Sequence, residues 1–185
     1  VEAPAGRGVT DLDLKRPLVI NLFAGPGTGK STAAAGIFHA LKSQGVNAEI
    51  AGEFAKDLTW ARRFDTLADQ LYVLGKQHHR IFRLVRDCDV IISDSPVLMQ
   101  LAYCQEYPAF YHQSVAWAFD RFRNVNFFLE RVKPYNPKGR NQTLEEAKQK
   151  DLEILQLLSK WKVPFKRATG DEAGLAYIVE QVRAL

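Results

Sequence analysis

Residues 24–32 read Ala-Gly-Pro-Gly-Thr-Gly-Lys-Ser-Thr, three glycines closely followed by a lysine and two hydroxyls. Backbone N–H groups converge on one point only where a chain curls tightly, and glycine allows that curl without a Cβ in the way. Gly25, Gly27 and Gly29 meet that need, with Pro26 and Thr28 between them and Thr32 leading into the next segment. Such a cradle binds phosphate oxygens. Lys30 sets a cation against the outer phosphates of a nucleotide, and the Ser31 hydroxyl is a magnesium ligand. ATP and Mg2+ are therefore the expected cofactors. The strict pattern has glycine at position 24, where this chain has Ala24.

Two carboxylates stand just past short apolar runs. Glu53 lies in Ala51-Gly-Glu-Phe-Ala-Lys-Asp57. Ligands of an open parallel sheet sit beyond the carboxyl ends of its strands, so Glu53 is placed to take the proton of an attacking hydroxyl. A solvated loop acid, or the N-cap of the next helix, is the plainer reading, and Asp57 is a second candidate for the base. Asp94 follows Val90-Ile-Ile-Ser93, the position of an acid that holds magnesium through water. Ser93 and Ser95 read equally as turn residues or ligands.

Cations gather further along. Residues 131–143 read Arg-Val-Lys-Pro-Tyr-Asn-Pro-Lys-Gly-Arg-Asn-Gln-Thr. Four cations, two prolines and a glycine make a poor core element and a serviceable lid, with Arg131 and Arg140 clasping a transferring phosphoryl group and Lys133 and Lys138 behind them. A solvent-facing loop, or one that follows a nucleic-acid backbone, fits the same composition. Between Trp60 and Arg80 lie Arg62, Arg63, Tyr72, Lys76, Gln77, His78 and His79. Gln77 and Arg80 are three apart and share a helical face, which makes them a candidate pair for the substrate. Trp60 is left open, and His78 falls on an apolar stripe as a core residue.

These groups need a scaffold, and the apolar runs supply one. Short stretches at Pro17–Phe23, Asn47–Ala51, Val90–Ser93, Val125–Leu129 and near Phe165–Ala168 alternate with helical patterns. One helix follows the glycine loop, with Ala34, Ile37, Phe38 and Leu41 on one face and Gly45 at its end. A long helix runs from about Thr66 to Val85 on a Leu67–Leu71–Leu74–Ile81–Val85 stripe. Helical segments broken near Pro108 span Val97–Arg123, and Thr143 with Glu146 forms a capping box. Alternation of this kind specifies a three-layer α/β/α sandwich with about five parallel strands. Residues 1–16 read as a flexible amino-terminal arm and 17–185 as one domain.

Bulk composition agrees. The 185 residues are 46% apolar and 25% charged, with a net charge of +4, a mild lean towards anionic partners such as nucleotides or nucleic acid. No apolar run reaches the ~20 residues that cross a bilayer, so no membrane partner is expected. Cys88 and Cys104 have no metal-ligand spacing and read as reduced, buried thiols of a cytoplasmic protein.

With these motifs in place, the chain resembles the P-loop nucleoside, nucleotide and polynucleotide kinases, and among them the small phage-encoded kinases often labelled AAA-family ATPases. The likeness rests on Asn21–Thr32, Glu53–Trp60, Leu74–Arg80 and Asn126–Thr143. It implies a nucleoside-kinase-like fold with a short lid, Glu53 as base, and the cytoplasm of a host cell as the setting. Polynucleotide kinase places an arginine three residues after its acid, where this chain has Lys56. The Glu-Arg-Ser strand end of deoxynucleoside kinases is replaced by Ser93-Asp94-Ser95. One branch of the phage group phosphorylates the hydroxymethyl group of 5-hydroxymethyluracil in DNA, a step in thymidine hypermodification, and that acceptor is the specific expectation carried by the resemblance. The alternatives are a kinase of a free nucleoside, nucleotide or nicotinamide riboside, and an ATPase coupled to a partner. Lys56, Asp57, Trp60, Gln77 and Arg80 are the candidate substrate contacts.

Overall fold

The structure, a computed structural model, describes residues 13–132 and 143–185. Strands β1 (Leu18–Phe23), β2 (Ala48–Ala51), β3 (Val90–Ser93), β4 (Arg123–Glu130) and β5 (Lys166–Thr169) alternate with helices. Helix α1 (Lys30–Ser43) follows β1, and α2 (Phe54–Trp60), α3 (Phe64–Ala68) and α4 (Gln70–Phe82) follow β2. A 3-10 turn over Val97–Ala102 and α5 (Ala109–Asp120) follow β3, α6 (Leu144–Lys160) precedes β5, and α7 (Glu172–Arg183) closes the chain.

The strands pair in parallel in the order β2-β3-β1-β4-β5, which puts β1 at the centre. Side chains alternate across it, as the pleat requires. Val19 and Phe23 join Ile91 and Phe128 in a core shared with the 3-10 turn, α5 and α6. Leu18, Ile20 and Leu22 join Ile92, Phe127 and Leu129 in a second core beneath α1 and α7. Helices therefore cover both faces, and the expected three-layer sandwich is the fold. The chain leaves β1 towards one face and β3 towards the other. Their carboxyl ends thus flank a crevice of the kind where α/β sheets hold ligands.

Several elements depart from the sequence expectation. The long helix from Thr66 to Val85 is instead two helices divided at Asp69, whose carboxylate caps α4 by accepting from the Tyr72 N–H at 3.2 Å. An Asp that captures a backbone N–H favours a helix start over a helix interior. The buried face of α4 is Val73, Leu74, Gln77 and Ile81, and Leu71 of the expected stripe is exposed. At the amino terminus, residues 1–12 lie outside the described residues. The rest of the expected arm packs on the domain: Leu14 is buried, and Lys15 donates to the Asp120 and Phe122 carbonyls. The capping box at Thr143 forms, with Thr143 N–H donating to Glu146 and Glu146 N–H donating to the Thr143 hydroxyl. No helix among the described residues is long and apolar enough to cross a membrane.

Candidate active site

The phosphate loop spans the gap between β1 and α1. Gly27 (φ 76°) and Gly29 (φ 102°) adopt left-handed backbone that side chains disfavour, and Gly29 is the N-cap of α1. Thr28 is buried, and its hydroxyl donates to the Gly25 carbonyl at 3.0 Å, closing the curl. No side chain caps α1 and no acid sits in its first turn, so its positive end is available to an anion. Ala24, the departure from the glycine pattern, is fully buried in the core under α1, where its methyl group packs.

Lys30 folds back over this loop, its Nζ donating to the carbonyls of Ala24 (2.8 Å) and Gly25 (3.1 Å). Burial pushes its pKa down, while Glu53, Asp94 and Asp151 oppose that shift. The Ser31 hydroxyl donates to Asp94 Oδ2 at 3.0 Å, across the crevice between β1 and β3. Asp94 Oδ1 is buried with no hydrogen-bond partner among the described residues. An orphaned acceptor beside a hydroxyl ligand suits magnesium, which keeps several waters and takes few protein ligands when phosphates supply the rest. Ser31 and Asp94 are the two residues that would hold it.

Glu53 is the N-cap residue of α2, yet its side chain makes no capping bond. The carboxylate is half-buried. Burial pushes its pKa up, Lys30 pulls it down, and Asp94 pushes it up again. Lys30, Asp94 and Glu53 therefore sense one another electrostatically, which brings the two acids expected from the sequence into one site with the loop lysine. Lys56 reaches the same place, its Nζ 3.3 Å from the Ser31 hydroxyl.

The other expected substrate contacts are distributed differently. Asp57 is engaged by Arg80. Gln77 is buried, accepting from the Phe54 N–H at 2.9 Å and donating to the Gly52 carbonyl at 3.3 Å. Arg80 donates to the same Gly52 carbonyl at 3.1 Å. This pair grips the backbone around Glu53, with both ends of the Gln77 amide bonded to that turn. Trp60 projects into solvent at 74% exposure. Arg131 donates through Nε (3.1 Å) and Nη2 (2.9 Å) to Asp151 Oδ2 and through Nη2 to the Pro26 carbonyl at 3.1 Å, so it contacts the phosphate loop. Arg140, Lys133 and Lys138 lie outside the described residues.

Two residues of the site carry no motif. Asp151 of α6 accepts from the Gly25 N–H at 2.6 Å while holding Arg131. A Cβ on Gly25 would come within 2.6 Å of that carboxylate and 2.7 Å of the Ala147 carbonyl, so this glycine serves the close approach of α6. The available signal was a lone acid on the Ala147–Ile154–Leu158 face of a helix. Tyr103 lies beyond the 3-10 turn, its ring 4.8 Å below Lys150 Nζ. The residue is 55% exposed, yet desolvation at its hydroxyl, followed by the nearby charges of Glu53, Glu153 and Asp151, pushes the pKa up to about 12. Tyr103, Pro26 and the α6 residues Glu145, Glu146, Gln149, Lys150 and Glu153 line an open cleft of about 620 Å3 next to the loop.

Comparison with known proteins fits this geometry. A family model described as an AAA domain (AAA_28) matches residues 19–173, from β1 to the start of α7. The chain belongs to this AAA domain family. Curated protein sequences give no match. Among solved structures, the crystal structure of NadR protein in complex with NR superposes with a TM-score of 0.68 at 15% identity over 91% of this chain. That match takes in 51% of the NadR chain, so the present chain spans about half its length. The likeness is one of fold: a parallel α/β/α sandwich of the P-loop type.

Proposed function

We propose that this AAA-domain protein is an ATP-dependent kinase that transfers the γ-phosphate to a hydroxyl of a small nucleoside-type acceptor. The observation that carries the kinase reading is Glu53. Nucleotide binding alone needs the loop, Ser31 and Asp94; Glu53, half-buried just beyond β2 and within electrostatic reach of Lys30 and Asp94, adds a carboxylate able to take the proton of an attacking hydroxyl. In the reaction so assigned, the loop amides and Lys30 hold the triphosphate, and Asp94 and Ser31 would hold magnesium, which would supply neutralisation of charge on the phosphates. Glu53 accepts the acceptor's hydroxyl proton as that oxygen attacks the γ-phosphorus and the bond to ADP breaks.

The cleft beside the loop supports a small acceptor. Among the described residues its walls carry three glutamates against one lysine, with Tyr103 as a ring on which a base can lie. A neutral or cationic nucleoside suits such walls better than a polyanion. The NR in the NadR crystal supports the same class, and nicotinamide riboside was among the acceptors expected from sequence. The more specific expectation of 5-hydroxymethyluracil in DNA draws less support from these residues.

Labelled ATP offered with free nucleosides, nicotinamide riboside, nucleoside monophosphates, 5′-hydroxyl DNA and DNA containing 5-hydroxymethyluracil decides the matter. Label is expected on a free nucleoside. Label confined to DNA overturns the small-acceptor reading, and hydrolysis with no acceptor labelled overturns the kinase reading.

A further inference from the structure

Glu53 can act only if its carboxylate is aimed, and its side chain makes no capping hydrogen bond among the described residues that would aim it. The fixing comes through the backbone. The peptide before Glu53 presents the Gly52 carbonyl, and the peptide after it presents the Phe54 N–H. Both are held by α4. Gln77 receives the Phe54 N–H at 2.9 Å and donates its own amide to Gly52 at 3.3 Å, so one side chain bridges the two peptides. Arg80, one turn on, donates to Gly52 at 3.1 Å, pairs with Asp57 on α2, and lies over the Phe54 ring at 5.2 Å.

Gln77 is the single polar residue among the four buried on α4, where Val73, Leu74 and Ile81 are the others. An amide in that position needs partners for both its ends, and the turn carrying Glu53 provides them. Pinning the peptides on either side fixes φ and ψ of Glu53, leaving only side-chain rotation to be ordered.

We infer that Gln77 and Arg80 are positioning residues for Glu53, a brace that holds the 52–54 turn so that the base faces the phosphate loop. This rests on the reading of Glu53 as the base, and the test separates the two. The variants are Gln77→Met, which keeps volume and loses both hydrogen bonds, Gln77→Glu, which keeps the acceptor for Phe54, and Arg80→Lys. Hydrogen exchange at the Phe54 amide is read alongside phosphoryl transfer from ATP to the acceptor labelled in the nucleoside panel, or to water if none is labelled.

In Gln77→Met the Phe54 amide is expected to exchange at least ten times faster while the amides of α1 keep their protection. Displacement of a catalytic group by about 1 Å costs on the order of 100-fold, so the turnover number should fall by that much with KM for ATP unchanged. Gln77→Glu should recover part of the loss, and Arg80→Lys should lose less than Gln77→Met. In a Glu53→Gln background, Gln77→Met should add nothing further. Unchanged exchange at Phe54 overturns the brace itself. Faster exchange with an undiminished rate, or an equal further loss in the Glu53→Gln background, overturns its role in aiming the base. An active Glu53→Gln enzyme whose Phe54 amide still depends on Gln77 overturns the base reading and leaves the brace standing.

Discussion

Beyond the ends of β1 and β3 the chemistry comes from one unbroken segment, residues 24–32, joined by a single outside acid, Asp94. The proposed acceptor side is assembled from scattered pieces: Glu53 from the turn after β2, Gln77 and Arg80 from α4, and, in the cleft beside Pro26, Tyr103 from the stretch after the 3-10 turn with Lys150 and Glu153 from α6. On the proposed reading the first region holds a donor whose shape never varies, so a fixed local geometry suffices. On the same reading the second must suit one acceptor, and its parts can change one at a time without disturbing the loop. Damage to the first should therefore register with every acceptor, water included. Damage to the second should register in the chemical step or in acceptor binding, with ATP affinity intact.

The largest effect expected is on the acceptor side. Glu53→Gln keeps shape and removes the base, and should lower transfer about 1,000-fold while ATP binds as before. Its pH behaviour has a definite sign. A base works deprotonated, and burial raises this carboxyl's pKa, so the acid limb of the wild-type rate should lie above the ordinary glutamate value and disappear in the variant. The same shift bears on stability. A carboxyl that binds its proton more tightly folded than unfolded stabilises the fold below its unfolded pKa and loses that contribution as pH rises through the folded one. At neutral pH, Glu53→Gln should therefore melt at a higher temperature than wild type while being nearly inactive.

Lys30→Ala is the matching break on the donor side. Loss of one preorganised cation from a phosphate site costs about 100- to 1,000-fold in rate. Here the loss should be the same for a nucleoside acceptor and for water, and should come with weaker ATP binding by calorimetry. A Lys30→Ala protein that lost nucleoside transfer but hydrolysed ATP at the wild-type rate would break the division between the two halves.

The same division explains what could be read from the residues alone. Gly25 to Thr32 are adjacent in sequence because a helix N-terminus and a tight turn are local structures, and Asp94 shows because it ends an apolar strand. The parallel sandwich was legible for the same reason, as short apolar runs alternating with helical patterns. Gln77 and Arg80 were visible as a pair on one helical face, but whether that face met a ligand or a turn depended on where α4 packed. Asp69 altered that packing by starting a new helix in the middle of an expected one. Asp151 gave no motif at all, since its partners, Gly25 and Arg131, are far away in sequence.

Asp151 ties the halves together, and its removal should be felt mainly as stability. Asp151 and Arg131 are largely buried, with side chains 17% and 13% exposed. Asp151→Ala leaves a guanidinium and the Gly25 N–H without their carboxylate, at a cost of about 2 kcal/mol by urea unfolding. The protein should retain its order of preference among acceptors, because none of the bonds lost belongs to the acceptor wall.

The smallest effect expected separates the ring of Tyr103 from its hydroxyl. A base stacked on an aromatic face gains about 1 kcal/mol, so Tyr103→Ala should raise the acceptor KM roughly fivefold and leave KM for ATP alone. The hydroxyl, with its pKa pushed up to about 12, stays protonated throughout the working pH range and cannot share the role of base with Glu53. Tyr103→Phe should then behave as wild type in both rate and pH profile. If Tyr103→Phe instead matched Tyr103→Ala, the hydroxyl would be the group that meets the acceptor. The acceptor wall would then recognise its ligand by a hydrogen bond beside Glu53 rather than by a stacking face.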